Sequence, residues 1–150
     1  MPGPDVLQGH MMPEAEIDQL LHDEGIGVLS MADGGVPYGI PVSFGYDGGD
    51  RVYVLFAGHS EEGRKVTFAE RSEEVSFLVT DVASEGDWRS AILRGPFDRI
   101  TPDEWDRARE AMAANAYRPE LLTDVDVQSN PRVWVLAAEE KTGRAMEPDD

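Results

Sequence analysis

The spacing of apolar and polar positions changes several times along the chain, and each change marks an element. Between Pro13 and Glu24, Ile17, Leu20 and Leu21 recur at helical spacing behind an acidic first turn, and Gly25 stops the pattern. Beyond it the spacing becomes that of strands. Gly27–Met31 reads as the first, Pro37–Tyr46 as the second and Arg51–Phe56 as the third. Ala32-Asp33-Gly34-Gly35 and Asp47-Gly48-Gly49-Asp50 join them, and both are hairpin signals because glycine accepts the positive φ of a tight turn. Pro37 and Pro41 donate no backbone hydrogen bond, so part of the second strand belongs at an edge or a bulge, where backbone groups stay open to a ligand. Ser60 is placed to cap a helix running to about Arg71, with Glu61 and Glu62 in its first turn.

Further on, Glu74–Asp81 is a strand, and Trp88–Leu93 leads into another that ends at Gly95-Pro96. Thr101-Pro102-Asp103-Glu104 combines a threonine cap, a first-turn proline and a glutamate three residues on. The helix it starts runs to about Ala116, with Trp105, Ala108 and Met112 on one face. Pro119–Pro131 is a polar loop and Arg132–Ala138 the last strand, with Trp134 in the core. The pattern predicts a mainly β fold with α additions, a small barrel of about six strands. At 150 residues the chain fits one domain over 1–150, with 1–12 as a disordered arm and 145–150 as a frayed tail.

Composition narrows the function. Thirty acids against 13 bases give a formal net charge of −17, a surface that repels nucleic acid and anionic membranes. The acids are spread through good apolar patterns, which argues against a disordered acidic chain. They suit a folded, halophilic protein of haloarchaeal type, since near 1 M salt the Debye length falls to about 3 Å and self-repulsion is screened. No apolar run is long enough to span a bilayer and no secretory signal is visible, which makes the cytoplasm the default. The absence of cysteine excludes disulfides, thiol catalysis and cysteine-bound metals. His10 and His22 have no partner at a metal-ligand spacing, so no metal site is expected.

Lys65 is one of only two lysines, and with Arg64 it stands where a helix begins. A helix start is a natural anion site, which suggests a phosphorylated ligand; solvated helix charge is the plain alternative.

The runs Gly27-Val28-Leu29-Ser30, Gly35-Val36-Pro37-Tyr38, Pro41-Val42-Ser43-Phe44, Gly63-Arg64-Lys65 and Trp88-Arg89-Ser90 resemble, in this order, the pyridoxamine 5′-phosphate oxidase-like family. PYGIPVSFGY followed by EGRK is similar to its nitroimidazole-resistance (Nim-like) branch. The resemblance covers roughly 14 to 100 and, more weakly, the final strand, and it implies a six-stranded split β-barrel that dimerises and holds FMN at the subunit interface. It assigns the FMN phosphate to Arg64 and Lys65, and the ring border to Pro41, Val42 and Ser43. Phe56, Ala57, Gly58 and His59 would line the ring or the ribityl chain, and Trp88 and Ser90 would reach the partner subunit's flavin. The chain departs from the true oxidases in lacking a basic C-terminal extension, so vitamin B6 oxidation is not implied.

The leading expectation is an FMN-dependent oxidoreductase, a homodimer acting on a small molecule. His59 is the candidate catalytic residue, as a proton donor, though a structural histidine or a haem ligand fits as well. Two alternatives keep the barrel: a haem-binding protein, or a non-catalytic module for flavin or deazaflavin. Trp88 is equally readable as a core or dimer contact. Ser43 has no His–Asp partners and is a hydrogen-bonding group rather than a nucleophile.

Overall fold

The computed structural model describes residues 9–56, 63–115 and 133–148. Along the chain these form β1 (His10–Met11), α1 (Glu14–Asp23), β2 (Ile26–Asp33), β3 (Val36–Tyr46), β4 (Arg51–Leu55), α2 (Arg64–Arg71), β5 (Val75–Ser84), β6 (Asp87–Gly95) and β7 (Phe97–Arg99). A 3-10 turn at Pro102–Glu104 leads into α3 (Trp105–Ala113), and β8 (Val133–Ala137) and β9 (Glu140–Met146) complete the order. The strands lie in one antiparallel array, β1-β9-β6-β5-β2-β3-β4-β8-β7.

The β2–β3 hairpin turns on Gly34 and Gly35, at φ 56° and 83°. Positive φ at both central residues is the geometry that matches strand twist, and it costs glycine nothing. β3 then serves two partners. Val36–Ser43 pairs with β2, whereas Phe44–Tyr46 pairs with β4. The array therefore splits between Ser43 and Phe44. Two features hold the split. At Gly45 an added Cβ would lie 2.5 Å from the Met112 backbone nitrogen, so the α3 backbone sits directly on the strand. Buried Asn115, just past α3, donates its side-chain amide to the carbonyls of Gly25 (2.9 Å) and Phe44 (2.5 Å).

α1 buries Ile17, Leu20 and Leu21 against the inner side of β5, β6 and β9, as its periodicity requires. Each side chain removed from water contributes roughly 1.5–3 kcal/mol. Lys141 of β9 reaches α1 from the same side. It meets Glu14 (2.9 Å), Asp18 (3.3 Å), the Tyr46 hydroxyl (3.2 Å) and the Gly49 carbonyl (2.6 Å). Burial opposes its charge, but hydrogen bonds to Glu14, Tyr46 and Asp18 outweigh that cost and hold its pKa above the usual lysine value. α3 packs Ala108, Ala111 and Met112 on a second cluster with Tyr53, Ile100, Val133 and Val135. The Tyr53 hydroxyl is buried there with no hydrogen-bond partner among the described residues. Tyr53→Phe should therefore stabilise the fold by about 1 kcal/mol, seen as a rise in melting temperature.

Several expectations change. The described residues form nine strands rather than about six, and Val133–Ala137 is not the last. β9 (EKTGRAM) turns Lys141, Gly143 and Ala145 inward, small or charged groups that give no apolar alternation. The tail does not fray at 145, because Ala145 is buried between β1 and β6. Residues 10–12 are not a disordered arm, since His10 and Met11 pair with β9 and Met12 is buried; residues 1–8 lie outside the described residues. α2 begins at Arg64 with Gly63 as its cap residue and no acid in its first turn; Ser60, Glu61 and Glu62 lie outside the described residues. The helix after Thr101 starts as a 3-10 turn, receives no threonine cap and ends at Ala113. The Pro119–Pro131 loop and residues 149–150 lie outside the described residues. No helix among the described residues is long and apolar enough to cross a membrane.

Candidate functional site

A cavity of about 420 Å³ opens where β3, the end of β4 and the start of α2 converge. Tyr38, Ile40, Pro41, Val42, Ser43, Leu55, Phe56, Gly63, Arg64 and Lys65 line it. Six of the residues expected from the sequence thus meet in one place: Pro41, Val42, Ser43, Phe56, Arg64 and Lys65. Ala57, Gly58 and His59 lie outside the described residues.

The wall formed by β3 is an open sheet edge. The Phe44 N–H donates to the Gly25 carbonyl (3.2 Å), so even-numbered residues of β3 direct their backbone toward β2. Odd-numbered residues face the other way, and β4 takes them up only from Gly45 onward. Pro37 and Pro41 are both odd, which places each missing donor on the open edge, where the sheet loses nothing. At the cavity this edge offers the carbonyl of Pro41 and both the N–H and carbonyl of Ser43, an acceptor–donor–acceptor series suited to a planar heterocycle. Tyr38, Ile40 and Val42 supply the apolar wall beside it, and Tyr38 packs on Phe68 of α2 with ring centroids 4.8 Å apart.

The opposite wall is charged. Val66 and Thr67 donate to the Gly63 carbonyl (both 3.1 Å), closing the first turn of α2. Gly63 has no side chain to cap the first-turn amides, and no acid accompanies them. The resulting positive end of the helix coincides with Arg64 and Lys65. Lys65 Nζ lies 6.0 Å from the Phe56 ring centroid, and Phe56 is held by Phe97 (6.1 Å) and Trp134 (6.0 Å). Arg51, Arg71, Arg89, Arg94, Arg99, Arg109 and Lys141 each pair with an acid. Arg64, exposed at the cavity mouth, pairs with none among the described residues, nor do Arg107 and Arg144. With no described acid paired to it, the Arg64 guanidinium suits an external anion.

An uncapped helix start with two cations, an apolar cleft and an open strand edge fit a planar ligand carrying a phosphate. Sequence reasoning did not assign Tyr38, Ile40, Leu55 or Gly63. Tyr38 and Ile40 could have been found by continuing the alternation back from Val42. Trp88 and Ser90 are not brought to the cavity. They lie on β6, three strands from β3, on the outer face of the sheet. The described residues contain no group of three or more potential metal ligands, and the described cavity lining contains no histidine.

The family model for pyridoxamine 5′-phosphate oxidase matches residues 13–145. No curated protein matches the chain. Among solved structures, an FAD-binding protein from Mesorhizobium loti superposes with a TM-score of 0.72 at 16% identity, over 92% of this chain and 98% of that one. A candidate 5-nitroimidazole antibiotic resistance protein from Bacteroides thetaiotaomicron gives 0.70 at 21% identity, covering 92% and 90%. The FAD and haem binding protein from Mycobacterium smegmatis gives 0.68 at 20% identity, covering 92% and 74%. At these identities the likeness is one of fold, and it identifies the split array as a split β-barrel.

Proposed function

The chain belongs to the pyridoxamine 5′-phosphate oxidase family, and on that premise we propose that it is a cytoplasmic, FMN-binding oxidoreductase that works as a homodimer. The observation that carries this reading is the meeting of Arg64, Lys65 and the uncapped start of α2 with the open edge of β3 in one cavity. Arg64 and Lys65 hold the phosphate. The Pro41 carbonyl and the Ser43 backbone read the polar rim of the ring, and Ile40, Val42, Leu55 and Phe56 exclude water from it. FMN, when bound, supplies the electron transfer; this chain's residues bind it, orient it and keep it dry. The electron acceptor is a small planar molecule, nitroaromatic in kind, as the Nim-like run implies.

The dimer reading rests on the outer face of the sheet. Val28 pairs with Leu78 and Leu78 with Ile92, making an apolar row across three strands. Ile26, Val28, Val82 and Ile92 of this face are large, apolar and exposed. Trp88 and Ser90 stand on the same face, so they reach a flavin only in a second copy packed against it. The absorption spectrum of protein purified in multi-molar salt tests the cofactor. A two-banded yellow spectrum with FMN released on heating is expected. A Soret band, or a colourless protein that takes up no added FMN, overturns the reading.

The surface charge carries a separate prediction. A halophilic chain of net charge −17 should lose structure in dilute buffer and regain it in multi-molar salt. A circular-dichroism melt that does not change with salt would contradict this.

A further inference from the structure

We infer that Ser72 is a positioning residue for the cavity: its hydroxyl fastens the far end of α2 to β2 and so sets where Arg64 and Lys65 stand relative to the open edge of β3. This rests on the reading of that cavity as an FMN site.

The cavity has β3 as one wall and the start of α2 as the other. α2 packs on β2 and β7, and β2 is the strand paired with β3. The width of the cavity therefore depends on how α2 is fastened to β2. Odd-numbered residues of β2 direct their backbone toward β3, as Gly25 does toward Phe44, so even-numbered ones face β5. The β2–β5 ladder sets Val28 against Leu78 and Ser30 against Ser76, and stops there. Ala32 is the next residue on that side, and the Ser72 hydroxyl stands where a strand would. The Ala32 N–H donates to Ser72 Oγ (3.0 Å). The single hydroxyl proton is shared between the carbonyls of Phe68 (2.7 Å) and Ala32 (3.0 Å). The Ser72 N–H also donates to the Phe68 carbonyl (2.9 Å), which closes α2.

Both ends of this link lead to the cavity. Ala32 pairs with Pro37 of β3, the residue before Tyr38. Phe68 packs its ring on Tyr38, which lines the cavity. One hydroxyl thus joins the helix to the strand pair at the end of the cavity remote from the cations. Ser72 lies seven residues beyond Lys65, roughly 10 Å along a helix, so it touches nothing held at the helix start. Two ion pairs accompany it, Arg71–Asp33 (3.2 Å) and Arg99–Glu70 (3.5 Å). Both lie at the surface, where a pair contributes little, least of all in high salt. Without the hydroxyl, α2 keeps its core contacts at Val66 and Ala69 but can tilt on them. Its cations then move relative to Ser43, and a ligand that spans both walls is held less well.

A ligand that spans both walls and one that does not separate positioning from plain stability. Ser72→Ala should lower FMN affinity about three- to tenfold, while riboflavin, which lacks the phosphate, stays within about twofold. Ser72→Thr keeps the hydroxyl on an extended backbone (φ −73°, ψ 128°) and should restore FMN affinity. Arg71→Gln, which removes the neighbouring ion pair, should leave the FMN-to-riboflavin ratio unchanged. The wild-type protein supplies a test without substitution, because coupling between two sites is reciprocal. At equal occupancy, FMN should slow amide exchange at Ala32 at least about threefold more than riboflavin does. Equal weakening of both ligands in Ser72→Ala overturns the assignment, because the residue then serves the fold alone. So do an unchanged FMN affinity, a threonine variant that behaves like alanine, an Arg71→Gln effect as large as that of Ser72→Ala, or equal protection of Ala32 by the two ligands. A wild-type protein with equal affinity for FMN and riboflavin removes the phosphate reading itself, before any variant is made.

Discussion

Lys65→Ala lowers FMN affinity by roughly 10- to 100-fold and leaves the fold in place. Lys65 sits in the first turn of α2 and lines the cavity beside Arg64, so its ammonium adds charge where the helix already directs its positive end. A charge-assisted hydrogen bond to phosphate is worth about 1.5–3 kcal/mol, which sets the size of the loss. The core contacts of α2 come from Val66 and Ala69, which the substitution does not touch. Fluorescence titration measures the affinity, and circular dichroism reports the fold. An affinity unchanged by the substitution would place the phosphate elsewhere.

Gly45→Ala should destabilise the protein by about 3 kcal/mol, the upper range for overpacking, because the obstruction is backbone rather than a mobile side chain. A Cβ at this position would meet the Met112 nitrogen at 2.5 Å and the Ala111 carbonyl carbon at 2.6 Å. Either α3 lifts or β3 bends away, and both movements disturb the point where β3 leaves β2 for β4. Ser43 is two residues away, so FMN affinity should fall along with the melting temperature. A melt within about 1 kcal/mol of wild type would mean that α3 does not set the split.

Much of this arrangement was legible in the sequence wherever a local rule applied. Ile17, Leu20 and Leu21 gave α1 by period, and Gly34-Gly35 gave the hairpin by its need for positive φ. Pro37 and Pro41 announced an open edge, and the cavity lies along it. Elements that depend on distant partners were not legible. β9 has a lysine, a glycine and an alanine on its inner side because α1 lies close above it, and that packing leaves no apolar signature. β1 is two residues long and exists only through its pairing with β9. Among the described residues α2 starts at Arg64 behind Gly63, and the cap expected at Ser60 lies outside them.

The central claim is that α2 and its two cations bind a flavin through its phosphate. Parallel equilibrium titrations of the ligand-free protein with FMN and with riboflavin, in high salt, test it most directly. The account predicts one FMN per chain and riboflavin binding at least tenfold more weakly, with Lys65→Ala reducing the difference between the two ligands. Equal affinity for FMN and riboflavin would contradict it.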